Sequence, residues 1–118
     1  KILFSGFLNQ SELGSAYIVA DLYVNTSIYD ASPKTINECI CFDIPMVVSD
    51  VVGQAKNIIK NNINGFTYKS GNINDLSEKI NNAMSLNRDK IQKTNLQLIE
   101  ATHSKRSAKN IIDKLNLR

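Results

Sequence analysis

The sequence predicts an α/β domain: a parallel sheet of about four strands flanked by helices, with a C-terminal helical extension. Three observations support this reading. Short apolar runs recur at Ile2-Leu3-Phe4, Leu22-Tyr23-Val24, Met46-Val47-Val48 and Phe66-Thr67-Tyr68, each followed by a stretch with helical spacing. The run Met46–Val48 lacks polar alternation, as in a strand covered on both faces. Strands alternating with helices in this way build a parallel sheet with helices on both sides.

In chain order, Lys1–Phe7 is the first expected strand, closed by Gly6 and the polar Asn9-Gln10. A chain that opens directly on such a run is expected to be a piece of a longer protein. Ser11 is the expected cap of a helix whose apolar Leu13, Ala16, Tyr17 and Ala20 recur at i, i+3, i+4 and i+7. Leu22–Asn25 forms the second strand, and a polar loop follows it. Ser32 is the expected N-cap of the next helix and Pro33 its first residue, where the fixed φ fits and an N–H would be unpaired anyway. That helix runs to about Phe42 and buries Ile36 and Ile40. Pro45 introduces the third strand, and Gly53 begins a loop and a short helix ending near Asn61-Asn62. Asn64-Gly65 marks a helix stop before the fourth strand rather than a hairpin, because its flanks lack alternating strands. Asn72–Ser85 is a helix with Leu76, Ile80, Ala83 and Met84 on one side. Asn87 or Asp89 starts another, carrying Ile91, Leu98 and Ile99. A last helix from about Ser107 aligns Ala108, Ile111, Ile112 and Leu115. The sheet unit is therefore residues 1–87, and residues 88–118 are C-terminal helices.

Composition narrows the function classes. With 118 residues, 42 % hydrophobic and 21 % charged, the chain has enough apolar side chain for one core, and no run approaches a membrane span. Residues 1–87 carry six Lys/Arg against eight Asp/Glu, and residues 88–118 carry eight against three. The basic tail, with Lys105-Arg106 and the lone His103, is a solvated helical face or a contact for an anionic surface. Peripheral contact with a membrane stays open on this reading, and nucleic acid is not expected. Cys39 and Cys41 lie two apart on a helix and point in different directions, with no further cysteine to complete a zinc site. They are expected to be reduced, half-buried packing residues, which suits a cytoplasmic protein.

The chemistry concentrates between Asp30 and Glu38. Strand ends carry the ligands of such sheets, and this loop follows one. The free amides of Lys34 and Thr35, with the positive end of the helix dipole, suit a diphosphate. Carboxylates on either side can accept hydrogen bonds from sugar hydroxyls. On spacing alone the pair reads first as two solvent-facing acids at a helix start. Asp50, at the end of a strand, has the position of a phosphorylatable aspartate, but Phe4-Ser5-Gly6 supplies no acidic pair to go with it.

An acid, seven residues and a Glu, set after a strand and before a helix, resembles the signature of retaining GT-B glycosyltransferases, especially glycosyltransferase family 4. The neighbours match in order: Ile2–Leu8 as a strand with a Gly-containing turn, Glu12–Val24 as helix, Ala-Asp and strand, Ile44–Asp50 as a Pro-led strand, and Asn64-Gly65-Phe66 ahead of the last strand. The likeness covers roughly residues 2–85 and implies a partial, Rossmann-like donor domain of a GT-B fold. It implies transfer of a hexosyl group from a nucleotide-diphosphate sugar to a glycan or lipid-linked acceptor in polysaccharide or cell-envelope glycan synthesis. That chemistry would run at the cytoplasmic side, with or without peripheral contact at the inner face of the membrane. Asp30 would be the catalytic-site acid near the transferred sugar, the amides of Lys34 and Thr35 would face the diphosphate, Ser32 and Pro33 would belong to the donor site beside them, Glu38 would hold the ribose, and Phe7-Leu8-Asn9 would line the base pocket. No metal or other cofactor is implied, and no Asp-x-Asp pair is present to chelate one. The acceptor would be bound by an N-terminal domain outside this chain, so the chain alone is expected to be inactive. In the strand order 3-2-1-4-5-6, two further strands would separate Lys1–Phe7 from Leu22–Asn25.

The chain departs from that pattern at Asp30 (usually Glu), Pro33 (often Gly), Asp43 (usually Gly) and Lys56-Asn57 (commonly Glu). These departures bear on sugar identity more than on fold. The alternative reading is a non-catalytic α/β binding or signalling module.

Overall fold

The computed structural model describes residues 1–102. In order the elements are α1 (Gln10–Val19), β1 (Tyr23–Asn25), α2 (Lys34–Cys41), β2 (Met46–Ser49), α3 (Ala55–Ile58), β3 (Gly65–Tyr68), α4 (Ile73–Met84) and α5 (Arg88–Thr102). The strands form one parallel sheet in the order β1-β2-β3, with Val24 opposite Val47 and Val47 opposite Phe66. The α/β, Rossmann-like class expected from the sequence is the class observed.

Period-2 alternation divides β2 between two apolar layers. Met46 and Val48 pack with Tyr17, Ile36, Cys39 and Ile40, so α1 and α2 cover that face. Val47 packs with Phe66, Tyr68 and Ala83, joined by Leu76 and Ile80 of α4 on the other face. Every residue of β2 is buried, as the unbroken apolar run demands. Burying side chains such as Ile36 and Ile40 stabilises the fold by about 1.5–3 kcal/mol each. Close approach of β3 to β2 requires glycine at 65, because a Cβ there would overlap the Met46 carbonyl.

A buried polar chain ties α5 to this unit. Asn64 Nδ2 donates to the Ile58 carbonyl and to Asn95 Oδ1, each at 3.1 Å, and Asn64 Oδ1 accepts from the Lys60 N–H at 2.7 Å. Asn95 Nδ2 in turn donates to Asp43 Oδ1 at 3.1 Å. Asp43 has φ 53°, a left-handed conformation that suits glycine better. Its side-chain bond to Asn95 offsets part of that cost and accounts for an Asp at this turn.

Several expectations are corrected. The sheet has three strands rather than about four among the described residues: Lys1–Phe7 forms none, and Ile2, Leu3, Phe4 and Phe7 are 77–95 % exposed. An apolar run becomes a strand only by pairing, and Ile2–Phe4 does not pair with the edge strand β1. The cap of α1 is Asn9, not Ser11. Asn9 Oδ1 accepts from the Glu12 N–H and Glu12 Oε2 accepts from the Asn9 N–H, a reciprocal box that starts the helix earlier. Pro33, not Ser32, is the N-cap of α2, because its extended ψ of 126° leaves Lys34 as the first helical residue. Met84 is exposed at the end of α4, while Ala83 takes the buried position. Cys39 is fully buried and Cys41 exposed, rather than both half-buried. Of the two starts expected for α5, Asn87 is the one observed, its Oδ1 accepting from the Lys90 N–H. Among the described residues no helix is long and apolar enough to cross a membrane. His103, Lys105-Arg106 and the helix expected from Ser107 lie outside the described residues.

Candidate functional site

The loop from β1 to α2 is built by local polar bonds. Asn25, buried at the end of β1, accepts from the Ser27 N–H at 2.9 Å and donates to the Tyr23 hydroxyl at 3.2 Å. That hydroxyl lies 2.6 Å from Thr35 Oγ1, so the end of β1 holds the first turn of α2. Asp30 Oδ1 accepts from the Ser32 N–H at 3.1 Å, closing an Asx turn before the helix. The Asp30 carbonyl accepts from the Gly53 N–H at 2.9 Å, within a parallel bridge between Asp30 and Val52. A Cβ at Gly53 would press on the Ala31 carbonyl, so only glycine lets the two loops meet this closely. Ser32 Oγ accepts from Gln54 Nε2, and Asn37 Nδ2 lies 3.4 Å from Gln54 Oε1. The loops after β1 and β2 are thereby sewn into one surface.

α2 opens onto that surface with no side chain capping its first amides among the described residues. Lys34 is exposed and Thr35 half-buried. Unpaired amides and the dipole make this end attractive to an anion. One turn further on, Glu38 points to α1: Tyr17 Oη donates to Glu38 Oε2 at 2.6 Å. Tyr17 is 9 % exposed and its ring stacks on Phe42, with centroids 5.3 Å apart. Burial, then the bond and charge of Glu38, push the Tyr17 phenol well above its usual range, so it stays a donor. Burial and the charge of Glu38 raise the Cys39 thiol to about 12, which removes it as a nucleophile at neutral pH. Burial, then the charges of Asp43 and Glu38, also raise the Cys41 thiol.

A cleft of about 200 Å³ opens between α1 and α2, lined by Gln10, Leu13, Gly14, Tyr17, Glu38 and Phe42. Of the residues singled out from the sequence, only Glu38 lines it. Asp30 faces its own turn, and no hydrogen bond joins it to Glu38. Asn9 is spent on capping α1, Phe7 is 94 % exposed and Leu8 is half-buried. Sequence reasoning missed Gln10, Leu13, Gly14 and Tyr17 as cleft residues. The signal was present in their i, i+3, i+4, i+7 spacing, which places all four on one face of α1. A second cleft of about 220 Å³ lies at the carboxyl ends of β1 and β3, lined by Thr26, Ile28, Tyr68 and the residues leading into α4. It contains no carboxylate and none of the residues singled out above.

No curated protein matches the chain. Residues 1–105 match the family described as glycosyl transferases group 1, and this chain belongs to that family.

Proposed function

We propose that this chain carries the donor site of a retaining glycosyltransferase that uses a nucleotide-diphosphate sugar. The observation that carries the reading is Glu38: its carboxylate lines the α1–α2 cleft, bonded on one oxygen by Tyr17, one turn from the uncapped amides of α2. The cleft is smaller than a typical site of about 300–1,000 Å³ and suits one ring of a nucleotide, the ribose, with the diphosphate reaching out to α2. In this reading Glu38 accepts from the ribose hydroxyls. The amides of Lys34 and Thr35, beside Ser32 and Pro33, stabilise the diphosphate as it departs. Phe7, Leu8 and Asn9 stand at the base end, next to Gln10 of the cleft.

In the transfer step the bond from the sugar's anomeric carbon to the diphosphate oxygen breaks. The acceptor oxygen then bonds to the same face of that carbon and passes its proton to the departing diphosphate. Asp30 stands nearest the transferred sugar. The charge is met by preorganised amides, with no metal needed. The acceptor is a glycan or lipid-linked sugar held by a part of the protein outside this chain, and the group moved is a hexosyl. The chemistry belongs to glycan synthesis at the cytoplasmic side. A site that binds the donor without transferring its sugar is the second reading, favoured by Asp30 Oδ1 being engaged by its own loop.

Glu38→Ala in the intact protein tests the donor reading by calorimetric titration with uridine, guanosine and adenosine diphosphates. The expected result is a loss of about tenfold in affinity for the preferred nucleotide, equivalent to about 1.4 kcal/mol. Unchanged affinity would overturn the assignment.

A further inference from the structure

We infer that Tyr17 is a positioning residue for Glu38, setting the carboxylate so that it recognises a cis-diol. The inference rests on the donor-site reading above and adds to it a second residue, on a different helix. The Glu38 side chain has several rotatable bonds, and Tyr17 is its only hydrogen-bond partner among the described residues. An unrestrained carboxylate at a helix surface would have to be ordered by the ligand itself, at an entropic cost to binding. The phenol removes that freedom beforehand. Its ring is fixed by burial and by the stack on Phe42, and its O–H makes a short, charge-assisted bond to Oε2. Oε1 has no hydrogen-bond partner among the described residues, and Oε2 retains acceptor capacity. Two acceptor positions held at a fixed orientation match two adjacent hydroxyls, where a freely rotating carboxylate would favour neither. Tyr17 and Glu38 line the same cleft, so the ordered carboxylate is presented where a ligand ring can enter.

The test is Tyr17→Phe in the intact protein, which keeps the ring, its burial and its stack while deleting only the hydroxyl. Affinities are measured for the preferred nucleoside diphosphate and for its 2′,3′-dideoxy analogue, alongside Glu38→Ala and the double variant. The expected result is a three- to tenfold loss for the diol-bearing nucleotide. It should vanish with the dideoxy analogue and add little once Glu38 is gone. A loss with Glu38→Ala but none with Tyr17→Phe overturns the role of Tyr17 while leaving the donor site standing. No loss with either variant overturns both. An equal loss on both nucleotides makes Tyr17 merely structural and also overturns the inference. Should Tyr17→Phe fail to fold, the carbon-13 signal of Tyr17 Cζ in the unsubstituted protein decides. A shift on adding the nucleotide but not its dideoxy analogue supports the role, and no shift overturns it.

Discussion

At its amino end α2 has Lys34 exposed and, among the described residues, no side chain on its first amides, with the Tyr23 hydroxyl on Thr35 and polar loop bonds beside it. Its carboxyl end turns at Asp43 into a chain of side-chain amides, Asn95 and Asn64, both fully buried and bonded. The same helix therefore leaves donors open at one end and anchors its other end to buried, fully paired groups. Buried polar groups must be paired, so the carboxyl end contributes stability and uniqueness. The amino end, with Lys34 exposed and Thr35 half-buried, can satisfy its free amides with water and contributes less to that uniqueness. Open donors and buried anchoring are separated by the length of one short helix.

The largest expected effect tests the buried end. Asn95→Ala removes the link between Asn64 and Asp43 and is expected to cost about 2 kcal/mol in urea unfolding. Nucleotide affinity should stay unchanged, and a parallel loss of affinity would show that the two ends are not independent. The middle of the helix gives the next effect. Cys39 has its folded-state pKa raised from 9.0 to about 12, so the unfolded chain loses the thiol proton first. Its contribution is fully present below about pH 9 and is lost as pH rises toward the folded value, roughly 1 kcal/mol by pH 10. Urea midpoints measured from pH 8 to 10 should therefore fall less steeply for Cys39→Ala than for the unsubstituted protein. The smallest effect belongs to the open end: Gln54→Ala deletes exposed contacts to Ser32 and Asn37 and should shift stability by less than about 0.5 kcal/mol. A loss as large as that of Asn95→Ala would erase the contrast between the ends.

Much of this was legible in local pattern. The helix stripe through Ile36 and Ile40 and the unbroken run Met46–Ser49 both place themselves, since 3.6- and 2-residue periods determine which side chains can share a core. Gly65 and Asn64 together located the start of β3 because each performs a backbone task that few residues can. Caps were less legible: Ser11 and Asn9 are both competent, and only the reciprocal bonds with Glu12 select Asn9. Asp30 and Glu38 were visible as a pair, but their partners were not. Tyr17 is 21 residues from Glu38, and the spacing of a helix stripe says which side chains share a face without saying what that face meets.

By itself the sequence determined the α/β class, the order of β1, β2 and β3 with their intervening helices, and the position of Glu38 in the first turns of α2. Those follow from local periodicity and from residues with few backbone options. Only the tertiary structure decided that Lys1–Phe7 stays unpaired, that Asn95 reaches Asp43, and that Glu38 is held by Tyr17 at the wall of a cleft while Asp30 turns to its own loop. Pairing, burial and side-chain partnership are relations between distant residues. Their free energies depend on what the rest of the fold brings alongside.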